Sequence, residues 1–371
     1  IKMKICYVIT KADEIGGAQI HVRDLSIQLA KDNNEVFVIV GENGALVDEL
    51  VNNNISVYVL PTLVRQINPI KDFQSILKLR KIIKKNKPDL ISLHSSKAGI
   101  VGRLAAIGTD IPVIFTAHGW AFANGVGKRQ QKLYCAIEKI MSPFAKKIIT
   151  VSQQDKDLAI KYRVVSAEKQ VVIHNGMPEI EMVCDNKKIE SYPTIKLISV
   201  ARFSEQKDHK TLFLALKELK DYDWSLSLVG KGPLIDHYKK YAIELGIFER
   251  IKFLGERSDV ADLLSESNVF LLISNWEGFP RSILEAMRAG LPVIASDVGG
   301  TSESVLNNKT GFLISRNDVH TLKEKIEILI KNEALRNEMG RYAREIYLAN
   351  FTFDSMYNKT VALYKSLVNI S

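Results

Sequence analysis

Short apolar runs alternate with longer stretches of helical spacing along the whole chain. In the first half the runs KICYVIT, EVFVIV, SVYVL, DLISLH, VIFTAH, KIITVS and QVVIH read as strands, and in the second half IKLISV, SLSLVG, IKFLG, VFLLIS, PVIAS and GFLI do. Between them lie amphipathic segments such as FQSILKLRKIIKKNK, whose apolar residues recur three and four apart. Strands that are apolar throughout and joined by helices predict parallel sheets covered on both faces. The pattern therefore predicts an α/β chain of two doubly wound domains, with ligands held beyond the carboxyl ends of the strands. The polar stretch GMPEIEMVCDNKKIESYPT breaks the periodicity and places the boundary near residues 176–194. That gives a first domain over 1–180, a second over 181–353 and a closing helix over about 354–371.

The 371 residues suffice for two hydrophobic cores, and 46% hydrophobic with 25% charged residues is a globular composition. No apolar run approaches the roughly 20 residues that span a bilayer. The chain opens in a strand-like run with no visible signal peptide. Cys6, Cys135 and Cys184 form no paired framework and read as reduced thiols. Charge is uneven: residues 1–180 carry 25 Lys and Arg against 16 Asp and Glu, whereas residues 181–371 carry 26 of each. The excess clusters at Lys78, Arg80, Lys81, Lys84, Lys85 and Lys87, and again at Lys128, Arg129, Lys132, Lys139, Lys146 and Lys147. These are either solvated helix faces or an attraction for an anionic membrane, where each basic residue is worth about 1 kcal/mol. Nucleic acid is not expected, because aromatic residues do not interleave with the basic runs.

Residues 276–303, WEGFPRSILEAMRAGLPVIASDVGGTSE, hold the densest chemistry. Pro280 suits the first turn of a helix whose apolar face is Ile283, Leu284, Ala286 and Met287. A helix opening behind a glycine turn offers free N–H groups and a positive dipole end, which favour phosphate. The backbone N–H groups of Gly278, Phe279, Ser282 and Ile283 fall there. Glu277 and Glu285 invite comparison with a hydrolase pair, but eight helical residues rise about 12 Å. Retaining glycosidases hold their carboxylates about 5 Å apart and inverting ones about 6.5–9.5 Å. Gly16 and Gly17 open a helix after the first strand, without the GxGxxG spacing of a dinucleotide site. His118 ends a strand at a carboxyl edge, where sites form. Trp120 and Phe122 floor an acceptor pocket or pack in the core. Arg202 and Lys207 bracket the loop after the first strand of the second domain. As a loop cation, Lys207 is expected to be replaceable with little effect on stability. Gly230, Gly232 and Pro233 form a turn, and Arg257 follows the strand IKFLG. Asp221-Tyr222-Asp223 has the DxD form of a metal motif but lies between helix and strand, away from the strands' carboxyl ends. No other His, Cys, Asp and Glu spacing suggests a metal site.

The segment at 276–303 resembles the E-x7-E signature of family 4 glycosyltransferases. ITKADEIGGAQIHVRDLSIQLA, TAHGW at 116–120, HNGM at 174–177, VARFSEQKDH at 200–209 and VGKGP at 229–233 fall in that family's order. The likeness covers almost the whole chain. Ala201 stands where the family often has glycine. The resemblance implies a GT-B fold, two Rossmann-like domains facing across a cleft, with the final helix returning to the first domain. It implies that Gly16 and Gly17 face the donor diphosphate and acceptor, and that His118 meets the donor sugar. It also implies that Arg202 and Lys207 hold the diphosphate, Glu277 the sugar hydroxyls and Glu285 the ribose. Gly230 and Arg257 would border the nucleotide, and Arg281 would help choose the sugar.

The expected reaction is transfer of a sugar from a nucleoside diphosphate sugar, UDP-linked, to a hydroxyl with retention, without metal or other cofactor. The motifs VITKADEIGGAQIHV, LHSSKAGIVGR and FTAHGWAF look like those of capsule and O-antigen transferases. These extend undecaprenyl-diphosphate-linked sugars at the inner face of the membrane. A cytoplasmic, peripheral enzyme with a saccharide or lipid-linked saccharide acceptor is implied. The alternatives are a GT-B UDP-sugar epimerase, or a non-catalytic nucleotide-sugar-binding or membrane scaffold protein.

Overall fold

A computed structural model describes residues 2–13, 16–123, 125–180 and 194–368. They form two compact units: unit 1, Ile1–Asn175 with Met356–Ser371, and unit 2, Gly176–Ser355. Cys184 and most of the polar stretch before residue 194 lie outside the described residues.

Unit 1 runs β1 (Lys4–Ile9), α1 (Gly17–Lys31), β2 (Glu35–Val40), α2 (Ala45–Asn52), β3 (Ser56–Val59), α3 (Pro69–Asn86), β4 (Leu90–His94), α4 (Ser96–Ala105), β5 (Val113–Ala117), α5 (Lys128–Met141), β6 (Lys147–Thr150), α6 (Gln153–Lys161) and β7 (Gln170–Val172). Unit 2 runs β8 (Ile195–Val200), α7 (His209–Lys217), β9 (Trp224–Val229), α8 (Ile235–Glu244), β10 (Ile251–Gly255), α9 (Val260–Ser265), β11 (Val269–Leu272), α10 (Arg281–Arg288), β12 (Val293–Ser296), α11 (Thr301–Ser304), β13 (Gly311–Ile314), α12 (Val319–Lys331) and α13 (Glu333–Asn350). The last helix, α14 (Phe353–Leu367), belongs to unit 1 from Met356 onward.

Every apolar run read as a strand is one. The orders are β3-β2-β1-β4-β5-β6-β7 in unit 1 and β10-β9-β8-β11-β12-β13 in unit 2, and the pairings are parallel. Each order reverses direction once, between β1 and β4 and between β8 and β11. Such a reversal opens a crevice beyond the carboxyl ends of the two strands. Side-chain caps start several helices: Asn68 accepts from the Lys71 N–H at 3.1 Å ahead of α3, and Asp208 from the Thr211 N–H at 3.0 Å ahead of α7. Pro280 occupies the N-cap of α10 rather than its first turn, because its extended ψ of 124° keeps it just outside the helix.

Each unit has its own apolar core. Trp120 and Phe122 belong to that of unit 1, stacked with ring centroids 5.0 Å apart, and the Trp120 indole donates to the Asp155 carbonyl at 2.8 Å. Of the two readings open for them, core packing is the observed one. Cys6 is buried, which pushes its thiol pKa up, and Cys135 is half-buried; both are free thiols. A charged pair also lies inside. Arg103 on α4 sits 4.5 Å over the Phe115 ring, donates to the Gly99 carbonyl at 2.7 Å and meets both Glu138 oxygens at 3.1 and 3.0 Å. Burial outweighs their attraction: it raises the Glu138 pKa and lowers that of Arg103. On α14, Tyr357 hydrogen-bonds Asp32 and Tyr364 reaches Tyr7 at 3.0 Å.

Candidate functional site

The crevice of unit 2 is walled by the loops that follow β8 and β11, and these interlock. The Asp208 N–H donates to the Ile273 carbonyl at 2.9 Å, and the Asn275 N–H to the Gln206 carbonyl at 2.7 Å. The Asn275 and Gln206 amides add bonds to the Glu205 and Trp276 carbonyls at 2.8 and 2.9 Å. This frame brings Lys207 and Glu277 together as an ion pair with side chains only 13% and 5% exposed. Ser274 Oγ donates to the same Glu277 oxygen at 2.6 Å, and Gln206 donates to the other at 3.4 Å. An ionised carboxylate has about four lone-pair sites. Glu277 therefore keeps capacity on its second oxygen for an incoming hydroxyl. Lys207 is thus the counter-ion of a buried carboxylate, a pairing that the sequence did not show.

Two glycine positions make this packing possible. A methyl group on Gly299 (φ +57°) would stand 1.9 Å from the Glu277 carbonyl oxygen, and one on Gly230 (φ +138°) would stand 2.1 Å from that of Ala201. The Gly300 N–H donates to the Gly278 carbonyl at 2.8 Å. The loops after β8, β9, β11 and β12 thereby converge. Arg202 is exposed and, with Gln206, Pro233, Leu234 and Trp276, lines a cavity of about 580 Å³.

α10 begins behind Glu277 without a side-chain cap. Phe279 and Ile283 are buried, and the Phe279 ring lies 5.5 Å from that of Phe351. Their side chains are core. Ser282 is half-buried, as is Glu285, whose pKa is raised by burial against the opposing pull of Arg288 and Arg281. Arg257 follows the edge strand β10, exposed and bidentate to Asp259 at 2.8 and 2.7 Å. Asp221, Tyr222 and Asp223 form the loop leading into β9, where Asp223 accepts from the Thr194 hydroxyl at 2.9 Å.

In unit 1 the crevice lies between β1 and β4, where Thr10 and Ser95 hydroxyls meet at 2.9 Å. Gly16 caps α1, its N–H donating to the Gln19 side chain at 3.2 Å, and Gly17 is the first helical residue. His118 follows β5. Its Nε2 lies 2.9 Å from Nδ1 of His94, at the end of β4, and its ring 5.0 Å from that of His21 on α1. The sequence singled out His118 alone. The only hint of His94 was that LISLH, like VIFTAH, ends a strand in histidine, and His21 on α1 had none.

Ligand atoms of these three histidines lie within 4.8 Å of one another, a cluster that residue spacing did not reveal. The 2.9 Å between His94 and His118 is a hydrogen-bond distance. Two nitrogens sharing one tetrahedral zinc at about 2.0–2.1 Å stand about 3.3 Å apart. His94 Nε2 is also engaged, at 2.9 Å from Ser92 Oγ. His94 and His118 thus form a hydrogen-bonded pair, with the His21 ring 5.5 and 5.0 Å from theirs.

Comparison with known proteins agrees with both halves. Residues 15–179 match the family described as Glycosyltransferase Family 4, and residues 185–346 match Glycosyl transferases group 1. An Escherichia coli UDP-Gal:alpha-D-GlcNAc-diphosphoundecaprenol alpha-1,3-galactosyltransferase is 30% identical over 99% of this chain and 98% of its own. The O-antigen biosynthesis glycosyltransferase WbnH of Escherichia coli is 30% identical over 98% of each chain. The crystal structure of Anabaena HepE in complex with UDP superposes with a TM-score of 0.84 at 23% identity, covering 98% of this chain and 100% of that one. This last likeness shows the fold, two Rossmann-like domains of the GT-B class. Matched along its length by relatives and by both family descriptions, the chain belongs to the family 4 glycosyltransferases.

Proposed function

We propose that the protein transfers a sugar from a UDP-linked donor to a hydroxyl of a diphosphate-lipid-linked saccharide, with retained anomeric configuration. The observation that carries the donor reading is the frame at the β8/β11 reversal, which holds Lys207 and Glu277 as a preformed pair beside Arg202 and the start of α10. The acceptor oxygen attacks the anomeric carbon on the face from which the diphosphate departs. The carbon–oxygen bond to the phosphate breaks, and the acceptor's proton passes to the departing phosphate oxygen. Arg202, Lys207 and the first N–H groups of α10 answer the charge that builds there. Glu277 takes sugar hydroxyls and Glu285 the ribose. Family membership favours this transfer over an epimerase.

The donor reading is tested by thermal stabilisation. A nucleotide at a hundred times its dissociation constant adds about 2.7 kcal/mol of stability. UDP is expected to raise the melting temperature of the wild type and not that of Glu285→Ala. Equal stabilisation of both removes Glu285 from the site. Because the Glu285 pKa is raised, its carboxylate protonates at a higher pH than an ordinary glutamate. UDP affinity that needs the ionised form should weaken as pH falls through that range, and Glu285→Gln should lack this component.

The acceptor reading draws on the galactosyltransferase's printed substrate and on two helices of unit 1. On α3, Ile70, Phe73 and Leu77 are 73, 61 and 52% exposed, among exposed Lys71, Lys78, Lys81, Lys84 and Lys85. On α5, Leu133 and Ile140 are exposed among Lys128, Arg129, Lys132 and Lys139. Apolar residues set among lysines suit an anionic lipid surface. No described helix is long and apolar enough to cross a membrane, so attachment would be peripheral. Vesicles containing phosphatidylglycerol should bind the wild type at low salt and release it at high salt. Phe73→Glu/Leu77→Glu should bind at least tenfold more weakly. Unchanged binding by that variant ends the assignment of α3.

A further inference from the structure

The core of unit 1 contains a line of hydrogen bonds that runs from α14 to His118. Tyr7 and Tyr364 hydroxyls meet at 3.0 Å, Tyr364 donates to Ser92 Oγ at 3.2 Å, Ser92 Oγ lies 2.9 Å from His94 Nε2, and His94 Nδ1 lies 2.9 Å from His118 Nε2. Tyr7, Ser92, His94 and Tyr364 are all buried.

Counting protons gives the line a direction. A serine hydroxyl has one hydrogen. With Tyr364 donating into Ser92 Oγ, that hydrogen is available for His94 Nε2. The reverse arrangement, with His94 Nε2–H donating to Ser92, would make Ser92 accept twice and leave its own hydrogen facing a buried core. Buried polar groups in native proteins are rarely left so. His94 Nε2 is therefore the acceptor, its single proton sits on Nδ1, and that proton points at His118 Nε2. His94 stays neutral, since burial and the neighbouring His118 both lower its pKa. Burial likewise raises the pKa of Tyr7 and Tyr364, so both hydroxyls keep their hydrogens. Tyr364, having given its hydrogen to Ser92, accepts from Tyr7.

We propose that this one-way line, Tyr7 to Tyr364 to Ser92 to His94 to His118, fixes His118 as the neutral tautomer with its proton on Nδ1, and that Tyr364, Ser92 and His94 are positioning residues for it. His118 Nε2 then accepts from His94, and the His118 proton is carried on Nδ1. The proposal about the tautomer stands on unit 1 alone; only its consequence for turnover rests on His118 meeting the donor sugar. An imidazole that can donate but not protonate at Nε2 is suited to holding a sugar hydroxyl oxygen, and unsuited to acting as a general acid from that nitrogen. A further consequence is that α14, far from His118 in sequence, sets which of its nitrogens carries hydrogen.

The test is nitrogen NMR of histidine-labelled protein. In the wild type, His94 and His118 should each show a single neutral form protonated on Nδ1. Tyr364→Phe removes one oxygen and almost no volume. It frees Ser92 to accept from His94, so both histidines should become tautomer mixtures, with kcat down about fivefold and the donor KM unchanged. Ser92→Ala should give the same NMR result, and the conservative Tyr364→Phe keeps the test valid should Ser92→Ala melt early. A wild-type His118 protonated on Nε2, or an unchanged single tautomer in Tyr364→Phe, overturns the proposal. If the tautomers mix as expected while His118→Ala retains full turnover, the line stands and the assignment of His118 to the donor site falls.

Discussion

Lys207→Ala is expected to lower turnover by about 10²–10³-fold, the size of effect seen when one fixed donor to a developing oxyanion is lost, and to lower stability as well. The second effect follows from the pairing. Glu277 is almost wholly enclosed, and its counter-ion is Lys207. Breaking a buried pair by removing one partner costs about 3–5 kcal/mol. Ser274 and Gln206 still donate to the stranded carboxylate, which argues for the lower end, about 3 kcal/mol. For a chain of two domains this size that is roughly 6–12 °C in melting temperature. Lys207→Ala/Glu277→Gln removes the stranded charge and keeps the shape. It should recover most of the lost stability and none of the lost turnover. A Lys207→Ala protein that melts with the wild type would show that the pair is not enclosed in solution.

Glu138→Ala should be strongly destabilising. It strands the Arg103 guanidinium, which is wholly buried against Phe115, at a cost of about 3–5 kcal/mol. The pKa shifts say more. A carboxyl whose pKa is raised on folding binds its proton more tightly in the folded state. Its contribution to stability is therefore present at low pH and lost as pH rises through the raised value. For Arg103, whose pKa is lowered, the folded state again disfavours the charge. Both partners are thus held ionised at a net cost, with Coulomb attraction failing to offset the loss of water. Arg103→Met/Glu138→Leu should accordingly be as stable as the wild type or more so, as judged by urea unfolding. A double variant as unstable as Glu138→Ala would mean that the pair contributes specific packing an apolar replacement does not reproduce.

The fold was legible because a parallel sheet covered on both faces leaves a plain mark. Its strands, such as VFLLIS and EVFVIV, are apolar without alternation. The loops after β8 and β11 were legible as sites for a related reason, since chain order and strand ends locate a carboxyl edge before any side chain is placed. What the chain did not reveal depends on contact across distance. Lys207 and Glu277 are 70 residues apart, and nothing in either segment states that one neutralises the other. The sequence left Trp120 and Phe122 open between pocket and core because both surfaces favour aromatic residues; packing against each other decided it. Nothing in the sequence ties His21 and His94 to His118. Only the pairing of β1 with β4 and of β4 with β5 brings them beside His118.

The placement of α14 has a consequence for synthesis. The strands of unit 1 emerge from the ribosome first, yet the helix that supplies Tyr357 and Tyr364 to them follows all of residues 176–355. At about 5–20 residues per second, that is a wait on the order of ten seconds or more. Throughout it the nascent unit carries an uncovered seam beside β1 and β4, while unit 2, encoded without interruption, is free to form. Unit 1 therefore closes only once the last residues of unit 2 have also been made.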